Sequence, residues 1–198
     1  MLSKGRNIEI DLILGSWIHV TDIFKLLYFY CLYVTVMQNL SYDRTVLLGE
    51  MEKEFEKQND HYFKNLLHHS DTVIRTRAVC IIASISGESS VRELAGILEH
   101  DNDALVRHEA AFSLGQLGFT SAIEPLSKAV QTDSNPFVRH EAAIALGVIG
   151  SETSRSVLEK ALYDDSKEVR DSGNVALSNI EYVKTIGKSN NFTKMTGG

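Results

Sequence analysis

Two histidine–glutamate dipeptides carry the side chains in this sequence that are best suited to metal chemistry. His108-Glu109 lies in the tract VRHEAAFSLGQLG, and His140-Glu141 lies 32 residues later in VRHEAAIALGVIG. Imidazole and carboxylate donors, few in number and with open positions, suit non-haem iron better than a structural zinc ion. The four side chains therefore predict either a mononuclear metal site or half of a binuclear one.

The two tracts belong to a fourfold internal repeat. Equivalent tracts begin at Ile74, Val106, Val138 and Val169, and each has arginine at its second position. Three residues before each start lies a residue type that caps helix N-termini: Asp71, Asp103, Asn135 and Ser166. The apolar residues of each tract recur at helical spacing, so each tract is predicted to be one helix, called helix B.

A second helix, called helix A, is predicted before each helix B. Apolar spacing places the A helices at residues 43–58 extending to 61–68, 89–100, 121–131 and 152–163. A helix pair of about 32 residues cannot bury its apolar face alone, so successive pairs are expected to stack. Late glycines are predicted to allow close approach of helices B, and two of them, Gly118 and Gly150, to supply left-handed C-caps. The predicted fold class is all-α, an α-solenoid of about four helix-pair repeats.

Only the two central repeats carry the dipeptide. At the equivalent position the first repeat has Thr76-Arg77 and the fourth has Asp171-Ser172. Solenoid packing therefore does not require histidine at this place, which favours a functional role for the dipeptides. The first turns of stacked helices lie side by side, with about 10 Å between helix axes, so the two histidines can converge on one ion. Two alternatives remain open: recent duplication of the repeat, and the preference of a helix N-terminus for glutamate.

The recurring V-R-x-x-A-A-x-x-L-G signature resembles HEAT-like repeats of the phycobilin-lyase type over about residues 60–182. This resemblance implies a HEAT-like α-solenoid. It also implies that an aspartate–arginine ladder links successive repeats. The ladder would comprise Asp101, Asp133 and Asp164 with Arg75, Arg107, Arg139 and Arg170. The arginines are therefore expected to be structural.

At the two His-Glu tracts the chain is similar to the deoxyhypusine hydroxylase family. That family consists of two halves of four HEAT repeats, with two His-Glu motifs in each half facing a di-iron centre. The resemblance implies oxidation of deoxyhypusine on translation initiation factor five A by molecular oxygen. It assigns His108 and His140 as iron ligands and Glu109 as a ligand that reaches the iron of the other half. Glu141 is assigned to the amine of the substrate or to additional metal binding.

This chain has one such half, and the resemblance therefore implies a homodimer in which each subunit stands for one half. Two iron ions per dimer are expected. The competing hypothesis is a non-catalytic HEAT-like scaffold whose concave face grips a partner protein. A phycobilin-lyase-like chaperone for a chromophore is a variant of that hypothesis.

Composition limits the partners. The net charge of −6 argues against a general nucleic-acid binder, which needs a basic face, and suits a cationic substrate. Two cysteines, Cys31 and Cys80, without a CxxC motif fit a reducing cytoplasm.

Three regions are predicted along the chain. Residues 37–182 form the repeat domain, and residues 183–198 form a polar, disordered tail. Residues 1–36 are an N-terminal extension with three open interpretations: an added helix, a membrane-associating segment, or an over-extended start upstream of Met37. The uncharged stretch 26–37 is shorter than the roughly 20 residues of a membrane-spanning helix, so a membrane partner is not expected.

Overall fold

The computed structural model describes residues 43–186. The chain divides into two units, Met1–Gly49 and Glu50–Gly198. In the first unit the described residues, 43–49, are helical. The predicted extension 1–36 and the residues from 187 onward lie outside the described part of the chain.

The second unit is a series of A and B helices. We number them α1 (residues 50–56), α2 (Asp60–Leu66), α3 (Thr72–Ser86), α4 (Val91–His100), α5 (Ala104–Leu117), α6 (Ile123–Thr132), α7 (Pro136–Ile149), α8 (Arg155–Ala161) and α9 (Lys167–Ile186). Helices α3, α5, α7 and α9 are the B helices, and they pack on one another in chain order. Residues 43–186 contain no β-strand. The predicted all-α solenoid of four repeats is confirmed.

The A helices begin slightly later than their apolar pattern predicts. Short 3₁₀ helices, Gly87–Ser90, Thr120–Ala122 and Glu152–Ser154, precede α4, α6 and α8. The first A helix is interrupted before α2, where Gln58 adopts a φ of 54°. The predicted domain end at residue 182 falls inside α9, because this helix continues to Ile186.

The predicted caps begin and end the central B helices. The side chains of Asp103 and Asn135 accept from the amides of Leu105 and Phe137, each at 2.9 Å. Gly118 and Gly150 adopt the left-handed conformation at the C-termini of α5 and α7. In the fourth repeat Ser166 lies directly before α9, but its hydroxyl donates to the Glu168 carboxylate at 2.6 Å.

Each of the three boundaries between the four repeats is tied by the predicted ladder. Arg107 donates from Nε and Nη2 to the Asp133 carboxylate at 2.8 and 2.9 Å. The same geometry joins Arg75 to Asp101 and Arg139 to Asp164. Since the aspartates follow the next helix A, each bond joins one repeat to its successor. Arg170 ends the ladder on two backbone carbonyls, Asp164 O and Asp165 O.

Small residues bring the B helices close together. A Cβ added to Gly115 would lie 2.7 Å from Ala145 Cβ, and one added to Gly147 would lie 2.7 Å from Ala176 Cα. These contacts confirm the predicted close approach of α5, α7 and α9. No helix in the part of the chain that the structure describes is long and apolar enough to cross a membrane.

Candidate metal centre

The centre of the candidate site is a contact between side chains of the two His-Glu dipeptides. Nε2 of His108 on α5 lies 3.5 Å from Oε2 of Glu141 on α7. Glu141 is 6% exposed and is one of few charged residues so deeply buried. His108 therefore does not pair with Glu109, the glutamate beside it in the sequence. It contacts instead the glutamate of the next repeat.

His140 makes the equivalent contact with the fourth repeat. Its Nδ1 lies 2.5 Å from Oγ of Ser172, which is buried in the second turn of α9. Ser172 holds the same tract position as Glu141, so both histidines face the fourth tract residue of the following repeat. The hydroxyl of Ser172 also donates to Glu168 O at 2.7 Å.

Glu109 points toward the first repeat. Its Oε1 accepts a hydrogen bond from Sγ of Cys80 on α3 at 3.0 Å. Although Cys80 is exposed at the surface of α3, partial burial of the thiol and its bond to Glu109 raise the pKa of the thiol to about 12. At neutral pH Cys80 is therefore a thiol that donates to the carboxylate.

The His108–Glu141 contact is not a strong ion pair. Burial is the main cause that lowers the pKa of His108, with a smaller contribution from His140 and an opposing one from Glu109. Burial, followed by the negative charge of Glu109, raises the pKa of Glu141 to about 7. Both shifts disfavour the charged forms. The fold thus brings donor groups together in an environment that lacks a positive charge.

Two further observations fit a site that could hold a cation. Nδ1 of His108 is buried and has no hydrogen-bond partner. Among residues 43–186 the ion-pair partner of Glu141 is His108, and no lysine or arginine lowers the pKa of its carboxyl. A cation held by imidazole nitrogen and carboxylate oxygen would offset the burial of Glu141, and the neutral form of His108 is the form that ligates metals. The donor types present therefore fit the predicted metal.

The number of donors is small. Residues 43–186 contain no group of three or more His, Cys, Asp or Glu side chains placed to hold one ion. The structure brings His108 to Glu141, and it places Glu109 and His140 at the flanks, toward the first and fourth repeats. A metal bound here needs more donors than those that converge within one chain.

At the position equivalent to the two histidines, the outer repeats make ordinary contacts on the helix surface. Thr76 donates its hydroxyl to the backbone of its own helix at Thr72 O. Asp171 forms an exposed pair with Lys167 one turn earlier. These contacts confirm that the solenoid accepts side chains without metal-binding chemistry at this place.

Sequence reasoning missed Ser172 and Cys80. Ser172 occupies the fourth tract position, like Glu141, and this equivalence was visible in the alignment of the repeats. No local pattern marks Cys80 as a neighbour of Glu109, because the contact crosses between repeats.

An apolar surface adjoins the histidines. Leu105 and Phe137, each three residues before a histidine, are 58% and 64% exposed. Together with Ala104, Asn135 and His108 they line a cavity of about 330 Å³. Val73 of the first repeat, also exposed, holds the equivalent position. We call Val73, Leu105 and Phe137 the apolar row.

The fold and the comparison with known families agree on the class of protein. A family model described as HEAT repeats matches residues 91–178. This segment contains α4 to α8 and the first part of α9, including both His-Glu dipeptides. The described chain is a HEAT-like α-solenoid. No curated protein sequence matches the chain.

Among solved structures the chain is similar to human deoxyhypusine hydroxylase, in a structure of that protein in complex with glycerol. The sequences are 29% identical and the TM-score is 0.61. The match covers 72% of this chain and 49% of the human protein, so this chain spans about half the length of that relative. The predicted resemblance to one half of a deoxyhypusine hydroxylase is confirmed.

Proposed function

We propose that this chain is an iron-binding subunit of a deoxyhypusine-hydroxylase-like monooxygenase. The observation that carries the proposal is the contact between His108 on α5 and Glu141 on α7. It joins the two dipeptides in an environment that disfavours their charges. The similarity to human deoxyhypusine hydroxylase over 72% of the chain supports the same function.

In this proposal each iron is held by His108 and His140 of one subunit and by Glu109 of the partner subunit. When bound, the iron supplies the activation of molecular oxygen. Glu109 is oriented for its role by the Cys80 thiol, and the thiol remains protonated at neutral pH because its pKa is raised to about 12. The neutral form of His108, favoured by burial, presents a nitrogen lone pair.

Glu141 is proposed to receive the amine of a protein-bound substrate. Its carboxyl is buried, and electrostatic attraction is stronger in such surroundings than in water. A substrate ammonium near Glu141 would favour the ionised carboxylate and so oppose the burial that raises its pKa. The substrate class is the deoxyhypusine side chain of a factor of the translation initiation factor five A type.

A second copy of the chain is proposed to complete the site, with two iron ions per homodimer. The apolar row supports this arrangement, because Leu105 and Phe137 are large, exposed and one helical turn from the histidines. Exposed apolar patches beside polar groups are typical of protein interfaces. The cytoplasmic location stays a prediction from cysteine usage.

Metal analysis tests the proposal directly. Protein purified without oxygen should contain about one iron per chain, and the double variant His108→Ala/His140→Ala should contain none while circular dichroism shows the same helix content. The matched control is His61→Ala/His100→Ala, which removes two histidines outside the site and should retain the iron. Equal metal content in the two double variants, including none in both, would contradict the iron proposal and favour the scaffold hypothesis.

The substrate is tested separately. Incubation of the iron-loaded protein with a deoxyhypusine-bearing factor and oxygen should increase the mass of the factor by one oxygen atom. Glu141→Gln should retain iron and lose this activity, because it removes the carboxylate proposed to bind the amine. Loss of iron from Glu141→Gln would instead assign Glu141 to the metal.

The dimer is tested by light scattering after size exclusion. The wild-type chain should elute as a dimer, and Leu105→Glu/Phe137→Glu should be monomeric, because charges on the apolar row oppose its burial. Tyr163→Glu is the matched control, since Tyr163 is 88% exposed and lies on the loop after α8. A monomeric wild-type chain that binds iron would overturn the dimer.

A further inference from the structure

Ser172 has an arrangement of hydrogen bonds that determines which ring nitrogen of His140 carries a proton. The hydroxyl has one hydrogen, and Ser172 donates it to Glu168 O at 2.7 Å. Its oxygen lies 2.5 Å from His140 Nδ1 and is left to act as an acceptor. Glu168 O, which can only accept, lies 3.5 Å from the same nitrogen. One hydroxyl hydrogen cannot be donated to both Glu168 O and Nδ1, so an N–H on Nδ1 is the arrangement that satisfies both short contacts of Ser172.

With the hydrogen on Nδ1, the lone pair of neutral His140 is on Nε2. Metal-ligating histidines commonly donate their other ring N–H to an oxygen acceptor, which fixes the ring orientation and increases ligand basicity. Ser172 is 3% exposed and sits at the start of the long helix α9, so its hydroxyl is held in place.

We propose that Ser172 is a positioning residue that fixes the Nδ1–H tautomer of His140 and presents Nε2 to the metal. The metal part of this proposal rests on the proposed function of His140, whereas the tautomer does not. The fourth repeat thus contributes to the site although it lacks a His-Glu dipeptide. Ser172 contacts Nδ1 of His140, whereas Nδ1 of His108 has no hydrogen-bond partner.

The tautomer is measurable in the metal-free protein by long-range ¹H–¹⁵N NMR of the His140 ring. The neutral wild-type ring should be in the Nδ1–H form. Ser172→Ala removes the acceptor and should shift the ring toward the Nε2–H form that free histidine favours. Ser172→Thr retains the hydroxyl and should restore the wild-type pattern.

Ser178→Ala is the matched control. Ser178 lies on the same helix and donates its hydroxyl to the carbonyl four residues earlier, Asn174 O, at 2.9 Å. Its loss should leave the His140 tautomer unchanged. An Nε2–H ring in the wild type, or the same ring signals in wild type and Ser172→Ala, overturns the proposal.

Metal titration with Fe²⁺ under anaerobic conditions separates this inference from the proposed function. Ser172→Ala should bind Fe²⁺ about 10-fold or more weakly, in the range typical of lost outer-shell partners, and Ser178→Ala should bind it like the wild type. A wild type that has the Nδ1–H ring but binds no iron overturns the proposed function and the metal role of Ser172. A wild type that binds iron and a Ser172→Ala variant of equal affinity overturn the role of Ser172 alone.

Discussion

The ladder and the candidate site contain adjacent residues of α5, Arg107 and His108. The two regions differ in whether their buried polar groups have hydrogen-bond partners. Arg107 meets the Asp133 carboxylate through two hydrogen bonds, and this arrangement recurs at the other repeat boundaries. His108, the next residue, faces Glu141 with both charged forms disfavoured and with Nδ1 unpartnered. The same helix turn thus holds one stabilising and one unfavourable polar contact.

This difference separates structural from functional residues. Groups that only hold the solenoid together are expected to be paired, because a buried unpaired group lowers stability. A buried carboxylate without a cation is tolerated where a ligand supplies the missing charge. The ladder therefore stabilises the fold, and the site is expected to lower the stability of the metal-free protein.

The largest effect is expected from breaking the ladder. Asp133→Ala leaves the guanidinium of Arg107 partly buried and unpaired, and we expect a loss of about 3 kcal/mol in the free energy of unfolding. Chemical denaturation measures the loss. Asp165→Ala is the control, because Asp165 also contacts an arginine, Arg139, but is 90% exposed in its side chain. A similar loss in both variants would contradict the structural role of the buried bonds.

At the candidate site, Glu141→Gln should increase the free energy of unfolding, whereas Asp133→Ala decreases it. Folding raises the pKa of Glu141 from 4.5 to about 7, so the folded state binds an extra proton between these values. Wild-type stability therefore falls as pH rises from about 4.5 to 7, and the neutral amide avoids this loss. We expect metal-free Glu141→Gln to be about 2 kcal/mol more stable than wild type at pH 8 and to show no such gain at pH 4.

Thermal or chemical denaturation at both pH values checks this prediction. Glu99→Gln is the control, because its exposed carboxylate has a pKa lowered by the hydrogen bond to Lys128. It should show no gain at pH 8. A Glu141→Gln variant that is less stable than wild type at pH 8 without metal would show that the carboxylate stabilises the fold.

A smaller effect is expected at Cys80. Burial is the main cause of its raised thiol pKa, and the bond to Glu109 adds to it. Glu109→Gln removes the second contribution and should increase the alkylation rate of Cys80 at pH 8 several-fold. The measurement uses metal-free protein that carries Cys31→Ser, so that alkylation occurs at Cys80 and not at Cys31. Equal rates with Glu109 and Gln at this position would contradict the Cys80–Glu109 contact.

Much of the fold was predictable because it depends on local signals. The N-caps Asp103 and Asn135, the C-cap glycines and the repeated arginine each act within a few residues of their own helix or through a repeated ladder. Repetition of the same signals at nearly constant spacing then determined the stacking. Ser166 differed, because its hydroxyl had a nearer partner in Glu168.

The site was predictable in its residues and not in its pairings. The tracts correctly placed His108, Glu109, His140 and Glu141 near the start of the central B helices, but one turn too early. Because α5 begins at Ala104 and α7 at Pro136, the four residues lie in the second turn. Which side chains meet depends on the offset between neighbouring helices, and helix periodicity contains no information about that offset. For this reason the sequence did not predict that Glu141 faces His108 or that Ser172 faces His140.

The separation of neighbouring B helices, by contrast, depends on two glycines. Gly115 and Gly147 lie seven residues, about two helical turns, after His108 and His140, at the contacts where α5 meets α7 and α7 meets α9. A methyl group at either position would force the neighbouring helix outward and lengthen the distance between the side chains of neighbouring repeats at the candidate site. The absence of two methyl groups therefore sets how closely the His-Glu tracts of adjacent repeats approach one another.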